Sequence, residues 1–134
     1  MWFLIFLALL IGIIYVYRYP LINLIIVHGM GCKHKVISEA PSPDGLLVAT
    51  VSERNCGAVT HYERIVSIRH RGRRFDGEDY NSWVFVTADQ PTIQVRWQGR
   101  GELSVTTDGY SRTPRDRRLK AARWENVEVV QALP

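Results

Sequence analysis

Two kinds of hydrophobic pattern divide the chain. Residues 2–17 read WFLIFLALLIGIIYVY, without a charge. Arg18-Tyr19-Pro20 follows, and then a second apolar run, LINLIIV, from Leu21 to Val27. A membrane-spanning helix needs about 20 mainly apolar residues. The first run is slightly short alone, and the two together are long enough. Trp2 lies at one end of this segment; Tyr15, Tyr17 and Tyr19 cluster near the other, as an interfacial aromatic belt would. Arg18 is placed to snorkel to headgroups. Pro20 lacks an N–H and should kink or end the helix. There is no basic region ahead of the run, and the run is long and bulky, so a retained anchor is expected rather than a cleaved signal. Gly29-Met30-Gly31-Cys32 is a poor lipoprotein site, with Gly29 where an apolar residue is usual.

After Cys32 the period changes to two. Lys33–Ala40 reads as an extended lead-in and Pro41-Ser42-Pro43-Asp44-Gly45 as a turn. Leu46–Glu53 alternates, with Leu47, Ala49 and Val51 on one face. Arg54–Ala58 reads as a corner, and Val59–Arg69 as a strand with Val66 and Ile68 inward and Ser67 and Arg69 outward. His70–Tyr80 is a polar loop. Trp83–Thr87 is apolar on both faces, which predicts a doubly covered strand. Ile93, Val95 and Trp97 alternate with Gln94 and Arg96, turn at Gly99-Arg100-Gly101, and return through Leu103, Val105 and Thr107. Asp108–Ala122 reads as a charged loop and Arg123–Val130 as the last strand. About six or seven strands and no convincing helix after residue 30 predict an antiparallel sandwich or small barrel. The expected organisation is an anchor and linker over 1–30 and a β-rich extracytoplasmic domain over 31–134.

Charge changes this picture little. Lys+Arg is 17 and Asp+Glu 13. Arg18 is the one charged side chain before Lys33, so nearly all the charge belongs to the β-domain. Its balance is only mildly basic, which argues against nucleic acid as a partner. Orientation is contested. Arg18, Lys33 and Lys35 follow the apolar segment, and the positive-inside rule would leave the β-domain in the cytoplasm. The cysteines argue otherwise. Cys32 and Cys56 flank the first turn and strand, so antiparallel pairing can bring them together. A disulfide closing about 25 residues would contribute roughly 3 kcal/mol and imply an oxidising compartment. The alternative is two separate buried thiols.

Other candidates are weaker. His28, Cys32, His34, Cys56 and His61 invite a metal reading, but Cys32-Lys33-His34 is too tight for the usual zinc turn. A Cys56–His61 thiolate–imidazole pair competes with the disulfide for the thiol. Asp76, Glu78 and Asp79 resemble a calcium loop, yet Arg71, Arg73 and Arg74 beside them favour local ion pairing. Arg112, Arg115, Arg117, Arg118, Lys120 and Arg123 form the densest basic run, suited to lipid phosphates or an acidic partner or to plain solvation. Trp83, Trp97 and Trp124 offer stacking surfaces or core packing. No cofactor site, metal site or catalytic set is expected.

The SPDG turn with its strand, and VRWQGRGELSV, resemble strand pairs of propeller blades, although one blade would leave unpaired edges. A closer resemblance runs over residues 32–107. Cys32, Glu39–Gly45, Arg54-Asn55-Cys56-Gly57-Ala58-Val59-Thr60 and Val66-Ser67-Ile68 are similar to a group of small bacterial membrane-anchored or exported proteins. These carry an SPDG turn and an R-x-C-G-A-T-T segment; Val59 stands where the group has Thr. The resemblance implies a bacterial envelope protein with paired cysteines and carries over no catalytic residue. The expectation is a single-pass inner-membrane protein with a periplasmic β-domain. It would act as a non-catalytic accessory subunit of a larger membrane complex. The alternative is an envelope domain that binds a small molecule or glycan.

Overall fold

The structure is a computed structural model. It describes the backbone of residues 2–29, 31–57, 60–108 and 117–132, and side chains at 2–17, 31–57, 60–107 and 119–132. The chain divides into two units, Met1–Gly31 and Cys32–Pro134.

The first unit holds one helix, α1 (Trp2–Gly29), and Pro20 does not end it. The described side chains of α1 are exposed, including Trp2, Tyr15 and Tyr17; those of Arg18 and Tyr19 lie outside the described residues. Among the described residues no helix is long and apolar enough to cross a membrane. The expected membrane anchor is therefore corrected, and with it the single-pass inner-membrane placement. A spanning helix needs about 20 mainly apolar residues, and the stretch of α1 whose side chains are described, 2–17, is shorter than that.

Among the described residues the second unit is a two-sheet β-domain of nine strands. These are β1 (Lys33–Pro41), β2 (Leu47–Asn55), β3 (Glu63–His70), β4 (Trp83–Ala88), β5 (Thr92–Trp97), β6 (Glu102–Asp108), β7 (Arg117–Leu119), β8 (Arg123–Trp124) and β9 (Val127–Ala132). One sheet has the order β1-β2-β3-β4-β7 and is antiparallel throughout. The other has the order β5-β6-β9-β8, and its β6–β9 pair is parallel. The domain is thus a sandwich but not wholly antiparallel. The charged loop expected over 108–122 contains β7, where Leu119 faces Phe85. The single last strand is two strands, broken where Glu125 takes a positive φ of 49°.

The period-two pattern decides the core. Ala49 and Val51 pair with Ile68 and Val66, and Val66 pairs with Phe85. This face packs on Ile93, Leu103, Val105, Val127 and Val129 of the second sheet. Trp97 ties the layers further, its indole N–H donating to the Ala40 carbonyl at 2.9 Å. In the SPDG turn the Ser42 hydroxyl donates to Asp44 at 2.6 Å, the carboxylate accepts from the Leu46 amide, and Gly45 takes a φ of +72°. Strand β1 is an edge, blunted by a bulge between Val36 and Ser38 and by Lys33 and Lys35.

The opposite face of the five-stranded sheet is also covered. Thr50, Ser52, Ile65, Ser67 and Trp83 on it are buried. The segment joining β3 to β4, residues 71–82, supplies cover. The Trp83 indole N–H donates to the Gly77 carbonyl at 3.2 Å, and the His34 ring lies directly against Gly77.

Candidate functional site

Where that cover meets the sheet, a groove of about 460 Å³ opens, lined by Arg54, Glu63, Tyr80, Trp83, Val86, Leu119 and Lys120. Strand pairing assembles it. Arg54 closes β2 and sits opposite Glu63, which opens β3. Val86 on β4 lies opposite Ile65, two positions along the same face. Tyr80 and Trp83 come from the end of the covering segment and the start of β4. Lys120 follows β7.

A charged network fixes one wall. Arg54 Nη1 lies 3.1 Å from Glu63 Oε2, and Arg54 Nη2 donates to Tyr80 Oη at 3.1 Å. The Tyr80 hydroxyl donates to Glu78 Oε2 at 2.8 Å. Glu78 Oε1 lies 2.7 Å from His34 Nε2 and 3.6 Å from Arg54 Nε. A carboxylate accepts, so His34 carries its proton on Nε2. Among the described residues the buried Nδ1 then has no hydrogen-bond partner, and Arg54 Nε has none either, its 3.6 Å approach to Glu78 being an ion-pair contact. The hydrogen bond from His34 holds the Glu78 carboxyl below its ordinary pKa, helped by Tyr80 and the Arg54 charge. The hydrogen bond to Glu78 raises the Tyr80 phenol. For Arg54 burial opposes the charge, but the bond to Glu63 and the nearby anions outweigh it, and its pKa is raised.

The other wall is aromatic and cationic. Tyr80 and Trp83 stack with centroids 4.4 Å apart at 43°. Lys120 Nζ stands 4.9 Å from the Trp83 centroid and 5.3 Å from that of Tyr80. The Arg54 guanidinium lies 5.6 Å and 5.9 Å from the same rings. Such contacts contribute about 0.5–1 kcal/mol each at exposed sites. Lys120 Nζ donates to the Tyr80 carbonyl at 2.7 Å. Among the described residues, no carboxylate pairs with it.

Cys32 and Cys56 form a disulfide, with Cα atoms 4.0 Å apart. It closes the β1–β2 ladder just beyond the Lys33–Asn55 pair. Both thiols are thereby consumed, so Cys56 has no thiolate to pair with the His61 imidazole. Of the basic run, Arg112 and Arg115 lie outside the described residues. Arg117 and Arg118 belong to β7 by backbone, opposite Thr87 and Val86, and Lys120 lines the groove. The three tryptophans are not gathered at one site: Trp83 lines the groove, whereas Trp97 and Trp124 pack against the core, Trp124 also lying beside His70 with centroids 5.6 Å apart. Among the described residues no group of three or more His, Cys, Asp or Glu could hold a metal.

The acidic segment FDGEDY behaves differently from the local ion pairing expected of it. Asp76 accepts from the Glu78 amide and Asp79 from the Asn81 amide. Glu78 reaches across to β1 and β2. Arg54, Glu63, Glu78 and Tyr80 were not legible as a group, because they are up to 26 residues apart. The one available signal was the hairpin register that sets Arg54 opposite Glu63. Comparison with family models, with curated proteins and with solved structures found no match.

Proposed function

We propose that the β-domain is a non-catalytic binding module whose groove takes a small ligand bearing a carboxylate on an apolar body. The observation that carries this reading is Lys120. An ammonium has three donors, and here one is used, on the Tyr80 carbonyl. Lys120 lines a groove whose apolar lining includes Val86, Leu119 and Trp83. Arg54 is engaged by Glu63 and Glu78, so among the described lining residues Lys120 is the cation without a carboxylate. The Trp83 face is covered by two cations, which argues against a glycan stacked on it.

Octanoate is a suitable probe, with octylammonium as its charge-reversed control. In a nitrogen–proton correlation spectrum, octanoate should shift the Trp83 indole and the Leu119 and Lys120 amides, and Lys120→Ala should abolish the effect. Equal shifts with octylammonium, or none with octanoate, would contradict the reading.

One observation favours a second role, in a larger assembly. The described side chains of α1 are exposed and apolar, Trp2 at 86% and Phe3 at 78%, and surface of that kind marks interaction sites. The full chain should then associate, and a chain lacking residues 2–29 should not. Identical masses in solution for both would contradict it.

A further inference from the structure

The disulfide and the groove are neighbours in register. Beyond Cys32–Cys56 the β1–β2 ladder runs Lys33–Asn55 and then His34–Arg54. His34 and Arg54 are each two residues from a half-cystine, and these two side chains hold Glu78. Arg54 also holds Tyr80. The stretch of segment 71–82 that carries Glu78 and Tyr80 is therefore fastened to β1 and β2 through His34 and Arg54, the second ladder pair in from the disulfide. Elsewhere the segment is fastened separately, through Trp83 to Gly77, the Arg71 amide to the Leu46 carbonyl and Lys120 to the Tyr80 carbonyl. Strand β1 has a single neighbour in its sheet, and both cysteines are half-buried, so a thiolate can reach the bond. Disulfides with more access to solvent are the more labile ones, and this one is partly accessible.

We propose that Cys32–Cys56 is a redox latch on the groove: its reduction frees the start of β1, separates His34 from Arg54, and releases the segment that carries Glu78 and Tyr80. The functional consequence rests on the groove reading above; the structural event does not. The reductant is a dithiol. One of its thiolates attacks a cystine sulfur to form a mixed disulfide and expel the other cysteine as a thiol. The second dithiol sulfur then displaces the remaining cysteine. Two electrons and two protons pass from the dithiol to the cystine, leaving a cyclic disulfide and two protein thiols.

Amide hydrogen exchange on the full chain, oxidised and then reduced with dithiothreitol, tests this without any ligand. Its result therefore stands whether or not octanoate binds. Exchange at Gly77–Tyr80 should rise about tenfold or more on reduction and return on reoxidation, while β5 stays protected. In the oxidised Glu78→Gln protein the same amides should already exchange faster, and reduction should add little, because the two changes act through one fastening. A rise confined to residues 33–36, with Gly77–Tyr80 unmoved, would overturn the latch. So would an equal rise in β5, since a latch must spare the core.

Discussion

Replacing Gly77 by alanine isolates the contact between the covering segment and the sheet. A Cβ built there falls inside contact distance of three atoms of the His34 imidazole. The φ of Gly77 is not positive, so the cost is steric and not conformational. Overpacking a filled site costs about 1–3 kcal/mol. If the ring yields instead, the His34–Glu78 hydrogen bond at 2.7 Å is lost, at about 1–3 kcal/mol for a bond to a charged group. Either route destabilises by about 1–3 kcal/mol. For a domain near 100 residues each kcal/mol lowers Tm by about 4–8 °C. Thermal unfolding by circular dichroism should show such a drop for Gly77→Ala. Gly72→Ala is the control, because nothing lies within 4 Å of a Cβ there. In a His34→Ala background the Gly77→Ala cost should largely vanish. Equal Tm values for Gly77→Ala and Gly72→Ala, or an undiminished cost without His34, would refute the packing described.

Four further outcomes follow from the geometry. The Cys32→Ser/Cys56→Ser protein should lose about 3 kcal/mol, measured by urea unfolding; an unchanged midpoint would deny the staple any role. Trp97→Phe should cost about 1 kcal/mol by losing its bond to the Ala40 carbonyl, and a neutral result would mean that the sheets are joined by packing alone. Glu78 has its pKa lowered in the folded chain, so its contribution is present above the ordinary carboxylate value and is lost as pH falls through the lower folded value. Acid unfolding of Glu78→Gln should accordingly be shallower than that of the parent over that range, and superimposable curves would count against it. Lys120→Ala should cost no more than about 2 kcal/mol, from its two ring contacts, since Lys120 is exposed; a larger loss in thermal unfolding would make it a structural residue.

Much of the sandwich was legible because one face of each strand is buried and period two survives burial. Ala49, Val51, Val66, Ile68, Ile93, Leu103 and Val105 all face inward as their alternation implied. The Cys32–Cys56 pairing followed from the same hairpin logic. Short strands failed: β7 has three residues and β8 two, too few to display a period. The parallel β6–β9 pair has no local signal either, since adjacent positions come from distant segments. The strand expected over Val59–Arg69 begins at Glu63, and Val59 lies outside the described residues. The groove was the least legible part. Its cations looked like solvated surface, and Glu78 looked like a partner for adjacent arginines. Only the fold of 71–82 across the sheet brings Glu78 to His34 and Arg54. The apolar N-terminal runs did form one helix, α1, but among the described residues no helix is long and apolar enough to cross a membrane.

The central claim is that the groove, and not the apolar helix, takes the anionic ligand. Nuclear Overhauser contacts from octanoate to the full chain test it most directly, because both surfaces compete in one sample. The account expects the octanoate methylenes to contact the methyl groups of Val86 and Leu119 and the Trp83 ring. Contacts confined to Phe3, Leu4 and their neighbours in α1 would contradict it.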